Sequence, residues 1–167
     1  MNAGCIHAGK GDWQMKLIVF SDIHGASGNF ARILAREPDA QGVLFLGDGY
    51  RGVEDALARC GLPVHAVCGN CDGDCGLPEE AELTAAGRRI FLTHGHRYHV
   101  KSGTQLLEAE GQRRGAEIVL FGHTHRALEA YRGGMYVLNP GAASGYGASY
   151  GKLDVRAEGV LFSVARL

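Results

Sequence analysis

The chain has 167 residues, enough for one domain with a sizeable core and too few for two ordinary ones. Hydrophobic residues make up 46% and charged residues 21%, which excludes disorder over most of the chain. Lys and Arg total 17 against 18 Asp and Glu, so there is no basic surplus for a polyanion, and apolar runs stop at about four residues where a membrane span needs about 20.

Residues 1–14 lack any period and are expected to form a flexible leader, with His7 and Trp13 uninvolved; residues 15–167 are expected to form a single domain. Leu17–Phe20 is fully apolar, the pattern of a strand buried on both faces. Ser27 is placed to cap a helix carrying Phe30, Ile33 and Leu34. Val43–Leu46 reads as a second buried strand. Val53, Ala56, Leu57 and Cys60 mark a helical face that Gly61 and Pro63 terminate. Val64–Cys68 reads as a third strand, and 80–93 as a hairpin turning at Ala86-Gly87. Ser102 and Gln105 suggest a capping box for a helix over about 102–114. Ile118–Phe121 is another buried strand. Ala127–Tyr131, Met135–Leu138, about 148–155 and 160–166 then suggest consecutive antiparallel strands. The sum is an α/β pattern: βαβαβ followed by mostly β, two sheets face to face with helices outside.

Glycine is unusually abundant, 26 residues, which favours sharp turns. The five cysteines are odd in number and no export signal precedes them, which argues against a disulfide framework and for a cytoplasmic protein. Cys68, Cys71 and Cys75 form a C-x-x-C-x-x-x-C cluster, one thiol short of a four-thiolate metal site.

The chemistry gathers at strand ends. Asp22 and His24 follow the first strand, Asp48 the second, and Gly69-Asn70-Cys71-Asp72 the third. His94-Gly95-His96 and Gly122-His123-Thr124-His125 follow the strands ending near 92 and 121. In α/β sheets ligands bind outside the carboxyl ends of the strands, so these segments are expected at one edge. One such pair alone would signify a turn; five in succession point to a site. Imidazole mixed with carboxylate and amide suits Mn, Fe, Zn, Co or Ni. Seven ligand side chains exceed one tetrahedral ion and fit two ions sharing a carboxylate, a device for in-line displacement at phosphorus.

The motifs D-x-H, G-D, G-N-x-D, H-G-H and G-H-T-H, in this order, resemble the calcineurin-like metallophosphoesterase superfamily, in particular its compact phosphodiesterase branch. Asn139-Pro140-Gly141 resembles the N-P-G-S segment of that branch, with Ala142 in place of Ser. The resemblance spans about residues 15–155 and implies a four-layer α/β/β/α sandwich of two mixed sheets with flanking helices. It implies that Asp22, His24 and His125 hold one divalent transition metal, that Asn70, His94 and His123 hold a second, and that Asp48 bridges both. Asn70 would also contact a phosphate oxygen, and Asp72 would orient a ligand or the loop. It further implies hydrolysis by a metal-bridging hydroxide, with Mn²⁺ the cation for assays.

Cys71 stands where many members of the superfamily carry the histidine proposed to protonate the leaving group. A buried thiol is a poor replacement, so small phosphodiesters are the expected substrates; His96 is the alternative proton donor or a phosphate contact. A phosphomonoesterase, and a non-catalytic interaction scaffold of the same fold, are the competing readings. The neutral charge provides no track for a nucleic-acid backbone. A homo-oligomer is compatible with the sequence but argued by no residue of it.

Overall fold

The computed structural model describes Gly4–Cys5 and residues 14–167. The leader expected over residues 1–14 falls mostly outside the described residues, as do His7 and Trp13. Of that stretch, β1 (Gly4–Cys5) pairs in parallel beside Leu83 and Thr84, and Gln14 opens β2.

Five strands form one sheet: β2 (Gln14–Phe20), β3 (Gly42–Phe45), β4 (Val64–Ala66), β10 (Ser149–Arg156) and β11 (Val160–Arg166). Their order is β11-β10-β2-β3-β4. The other sheet adds β5 (Glu80–Ala85), β6 (Arg88–Thr93), β7 (Ile118–Leu120), β8 (Ala127–Arg132) and β9 (Met135–Pro140) to β1, in the order β1-β5-β6-β7-β9-β8. Both sheets are mixed: β2, β3 and β4 run parallel, as do β6, β7 and β9, with antiparallel strands beside them.

The layering follows from the period-2 geometry of strands. Leu17 and Val19 of β2 face inward with Leu44 of β3, and they meet Ile90 and Leu92 of β6 and Ile118 and Leu120 of β7. The alternate residues face outward. Ile18, Phe20, Val43 and Phe45 pack on Phe30 and Ile33 of α1 (Gly28–Arg36) and on Val53 and Leu57 of α2 (Tyr50–Arg59). Phe91, Val119 and Val137 on the other sheet pack on Leu107 of α3 (Gln105–Arg114). Each fully buried side chain of this kind contributes about 1.5–3 kcal/mol. The result is the α/β/β/α sandwich that the resemblance implies. Among the described residues no helix is long and apolar enough to cross a membrane.

Three local expectations are corrected. The last four strands are not consecutive neighbours: β8 pairs with β9 and β10 with β11, but β9 joins β7 in one sheet and β10 joins β2 in the other. Each strand has two faces to bury, and the crossing between sheets serves both. The Ser102 capping box does not form; Gly103 at φ 143° interrupts the chain and α3 starts after Thr104, whose hydroxyl bonds the Glu108 carboxylate instead. Ser27 sits at the predicted helix start, but its backbone is already helical and its side chain makes no cap bond.

Candidate metal centre

Strand ends β2, β3, β4, β6 and β7 do deliver their polar residues to one edge. The loop after β2 is held against the loop after β3 by Asp22 N–H to Gly47 O, 2.9 Å, and Ile23 N–H to Asp48 O, 2.9 Å. The backbone there is strained. Asp22 (φ 55°), His24 (37°), Asp48 (64°), His123 (65°) and His125 (58°) all occupy the left-handed region. For residues with a Cβ this costs on the order of 1–3 kcal/mol each and persists only where the surroundings impose it. Glycines supply the close approaches. A Cβ at Gly69 would collide with the Asp48 carboxylate, and one at Gly122 with Ser21 and the Asp22 carboxylate.

Two groups of donor atoms result. In the first, His125 Nε2 and His24 Nε2 lie 3.1 and 3.7 Å from Asp22 Oδ1, and 3.3 Å from each other. In the second, His94 Nε2 lies 3.3 Å from Asp48 Oδ2 and 3.2 Å from His123 Nδ1. The groups adjoin: His24 Nε2 is 3.8 Å from Asp48 Oδ2, and His94 Nε2 is 4.0 Å from Asp22 Oδ1. Within each triad the ligand atoms lie within 4.8 Å of one another.

The donor set fits divalent cations. Asp22 Oδ1 is wholly buried and has no hydrogen-bond partner among the described residues, although imidazole nitrogens crowd it. His94 Nδ1 lies 2.7 Å from the Leu46 carbonyl. A carbonyl only accepts, so this nitrogen carries a proton, and Nε2 is the nitrogen directed toward Asp48 and His123. Burial alone would depress the His94 imidazole, but its hydrogen bond to Asp48 and the charges of Asp22 and Asp48 raise it above the ordinary value. Burial would raise the Asp48 carboxyl; hydrogen bonds from His94 and from the Cys71 N–H (2.8 Å) instead hold it well below the usual carboxylate range. Burial and then neighbouring His94 push His123 down to about 4, leaving a neutral ring with one nitrogen free to ligate at neutral pH.

The remaining predicted residues are placed differently. Asn70 is exposed, and among the described residues its amide bonds only Cys71 Sγ, at 3.3 Å. Cys71 is exposed rather than buried, its backbone N–H turned to Asp48; its sulfur falls within 4.8 Å of ligand atoms of His24 and Asp48. The His96 ring is half-buried, 5.6 Å from that of His94 and 6.2 Å from that of His123. Burial and then His94 lower its pKa, and its Nδ1 is buried without a partner among the described residues.

Asp72 is buried and its two oxygens accept four backbone N–H groups: Asp48 (2.8 Å), Gly69 (2.8 Å), Gly49 (2.7 Å) and Tyr50 (2.9 Å). It ties the loop after β4 to the loop after β3. Sequence reasoning missed Ser144, whose hydroxyl donates to the Asp22 carbonyl at 2.7 Å; a serine in a run of small residues carries no signal of this. Asn139 is buried and donates to Gly122 O (2.9 Å) while accepting from Gly141 N–H (2.9 Å), which secures the segment before His123.

Comparison with known proteins bears on the same residues. A family model described as the calcineurin-like phosphoesterase superfamily domain matches residues 15–158. The phosphodiesterase YfcE of Escherichia coli K12 is 33% identical over 168 aligned positions, covering 84% of this chain and 88% of its own. Among solved structures, a conserved uncharacterized protein of Streptococcus pneumoniae, described as a predicted phosphoesterase, matches with a TM-score of 0.80 at 26% identity, over 92% of this chain and 90% of that one. Vps29 of Entamoeba histolytica has a similar fold, with a TM-score of 0.76 at 24% identity over 92% and 99% of the two chains.

Proposed function

The chain belongs to the calcineurin-like phosphoesterase superfamily and is a metal-dependent phosphoesterase; we propose that its substrates are small phosphodiesters and that its centre is dinuclear. The observation that carries this reading is the pair of adjoining triads, Asp22–His24–His125 and Asp48–His94–His123. Asp48 would lie between two cations, since its Oδ2 faces both His94 and His24. Bound there, divalent cations supply Lewis-acid charge and lower the pKa of coordinated water toward neutrality. Mn²⁺ is our choice for assays, with Fe, Zn, Co or Ni compatible with the same donors. We take residues 15–167 as the working domain and the cytoplasm as its compartment.

The chain's own residues prepare the site. The Leu46 carbonyl fixes the His94 tautomer, and Asp72 fixes the backbone beneath Asp48. Asn70 would complete the second group of ligands and contact a phosphate oxygen. His96 offers a further contact to phosphate. Cys71 stands beside the triads but a thiol is a weak proton donor to a departing alkoxide. General acid catalysis typically contributes about 10²–10⁴-fold, so diesters and esters with good leaving groups are favoured over alkyl monoesters. The intact donor set supports an enzyme over an interaction scaffold.

The test compares bis-p-nitrophenyl phosphate with p-nitrophenyl phosphate, using protein stripped of metal and resupplied with Mn²⁺. The diester is cleaved faster. Cys71→His raises the turnover ratio of an alkyl phosphomonoester to p-nitrophenyl phosphate by about tenfold or more. An unchanged or lower ratio contradicts the assigned consequence of Cys71.

A further inference from the structure

The loop between β4 and β5 brings two cysteines together. Cys75 Sγ lies 3.1 Å from Cys68 Sγ. Cys68 is buried and anchored: its N–H donates to Pro78 O at 2.8 Å, and the next residue, Gly69, is pressed against Asp48. Cys75 is only half-buried, so a small reagent reaches it. The two sulfurs enclose the segment that carries Asn70, Cys71 and Asp72.

These thiols do not complete a metal site with Asp72, although its carboxylate lies near both. Both Asp72 oxygens are already engaged by four backbone N–H groups. Cys71, the middle thiol of the cluster, lies instead beside Asp48 and His24. What is left is a dithiol.

We propose that Cys68 and Cys75 form a reversible disulfide that clips the Asn70–Asp72 loop, with a low-molecular-weight disulfide such as oxidised glutathione as the oxidant. The Cys75 thiolate attacks one sulfur of that disulfide, whose S–S bond breaks and releases one small thiol. Cys68 then attacks Cys75 Sγ in the mixed disulfide and releases the second. Two protein thiols are oxidised, one small disulfide is reduced, and the two protein protons end on the two released thiols.

A disulfide bond is about 2.05 Å long, so the sulfurs must close by about 1 Å. The Cys68 backbone, held by its N–H to Pro78 O, does not yield readily. Cys75 can: Gly73 (φ 59°) and Gly76 (φ 77°) flank it, each with open space around it. The adjustment therefore falls on the outer limb of the loop, and the bond restrains the unfolded chain without displacing the metal-centre residues. This inference does not depend on the phosphoesterase chemistry.

The test treats the whole protein with excess oxidised glutathione and reads intact mass, thiol count, fragment linkage and Tm. Titratable thiols fall from 5 to 3. The mass falls by about 2 Da, as two thiol hydrogens are lost. Digestion at aspartates joins the fragment 55–71 to one beginning at Asp74, and tandem mass spectrometry places the bond on Cys68 and not on Cys60 or Cys71. Tm rises by about 5 °C, and dithiothreitol reverses every change. Cys75→Ser, with the Tm of the reduced parent, shows neither the internal bond nor the rise. A glutathione adduct without an internal bond, a bond to any other cysteine, or an unchanged Tm in the oxidised parent overturns the proposal. If Cys75→Ser fails to fold, the fragment linkage and Tm of the parent decide alone.

Discussion

Asp72 has two carboxylate oxygens and four backbone N–H partners, and it coordinates nothing in our account. Its work is to hold Gly49 and Asp48, at φ values of 105° and 64°, in conformations the backbone would otherwise leave. Asp72→Ala removes all four acceptors at once and strands the N–H groups. We expect metal affinity or activity to fall about 10–100-fold, the usual cost of losing a group that orients ligands. Asp72→Asn keeps one acceptor oxygen and should fall between. Metal titration of both variants checks this. At this scale the ligand types were legible, because Asp, His and Asn after apolar runs have few other reasons to recur. Their contacts were less so. That Cys71 is exposed, and that Ser144 reaches the Asp22 carbonyl, depends on how loops from distant strands cross, and no local spacing encodes it.

Helix α3 is held to its sheet by charge as well as by apolar contact. Arg114 reaches Glu110 (2.6 Å), Glu82 (2.8 Å) and Glu80 (2.5 Å), and its guanidinium lies 4.3 Å from the centre of the Phe91 ring. Hydrogen bonds from Arg113 and Arg114 lower the Glu110 pKa from 4.5 to about 2. A carboxyl depressed on folding adds stability that is complete above its unfolded pKa and lost as pH falls through the folded one. The stability gap between the parent and Glu110→Gln should therefore be constant above pH 4.5 and shrink as pH falls toward 2, in urea titrations at each pH. Element types in the first two-thirds of the chain were readable because buried parallel strands and amphipathic helices carry contrasting periods. The final strands were misjoined for a physical reason: an alternating strand announces two faces but not the sheet it enters. The β9–β10 connection crosses between sheets through Gly141 and the following small residues, where a hairpin would leave the inward faces of both sheets short of a strand.

Across the whole molecule, parallel strands from both sheets end at the same edge, and that edge collects seven candidate ligands from five loops. The sandwich supplies a rigid support; the strain is confined to the loops, where Asp22, His24, Asp48, His123 and His125 all have positive φ. Cations bound there stabilise the folded chain by mass action, about 2.7 kcal/mol for a site at 100 times its Kd. The central claim is that Asp48 joins two cations in one centre. The most direct test is the metal content of the parent and of Asp48→Asn after resupply with Mn²⁺ and gel filtration, with Tm read on the same samples. We predict two Mn²⁺ per parent chain, one or none in Asp48→Asn, and a metal-dependent rise in Tm that the variant largely loses. A parent that binds a single ion, or an Asp48→Asn that still retains two with the full rise in Tm, would contradict the account.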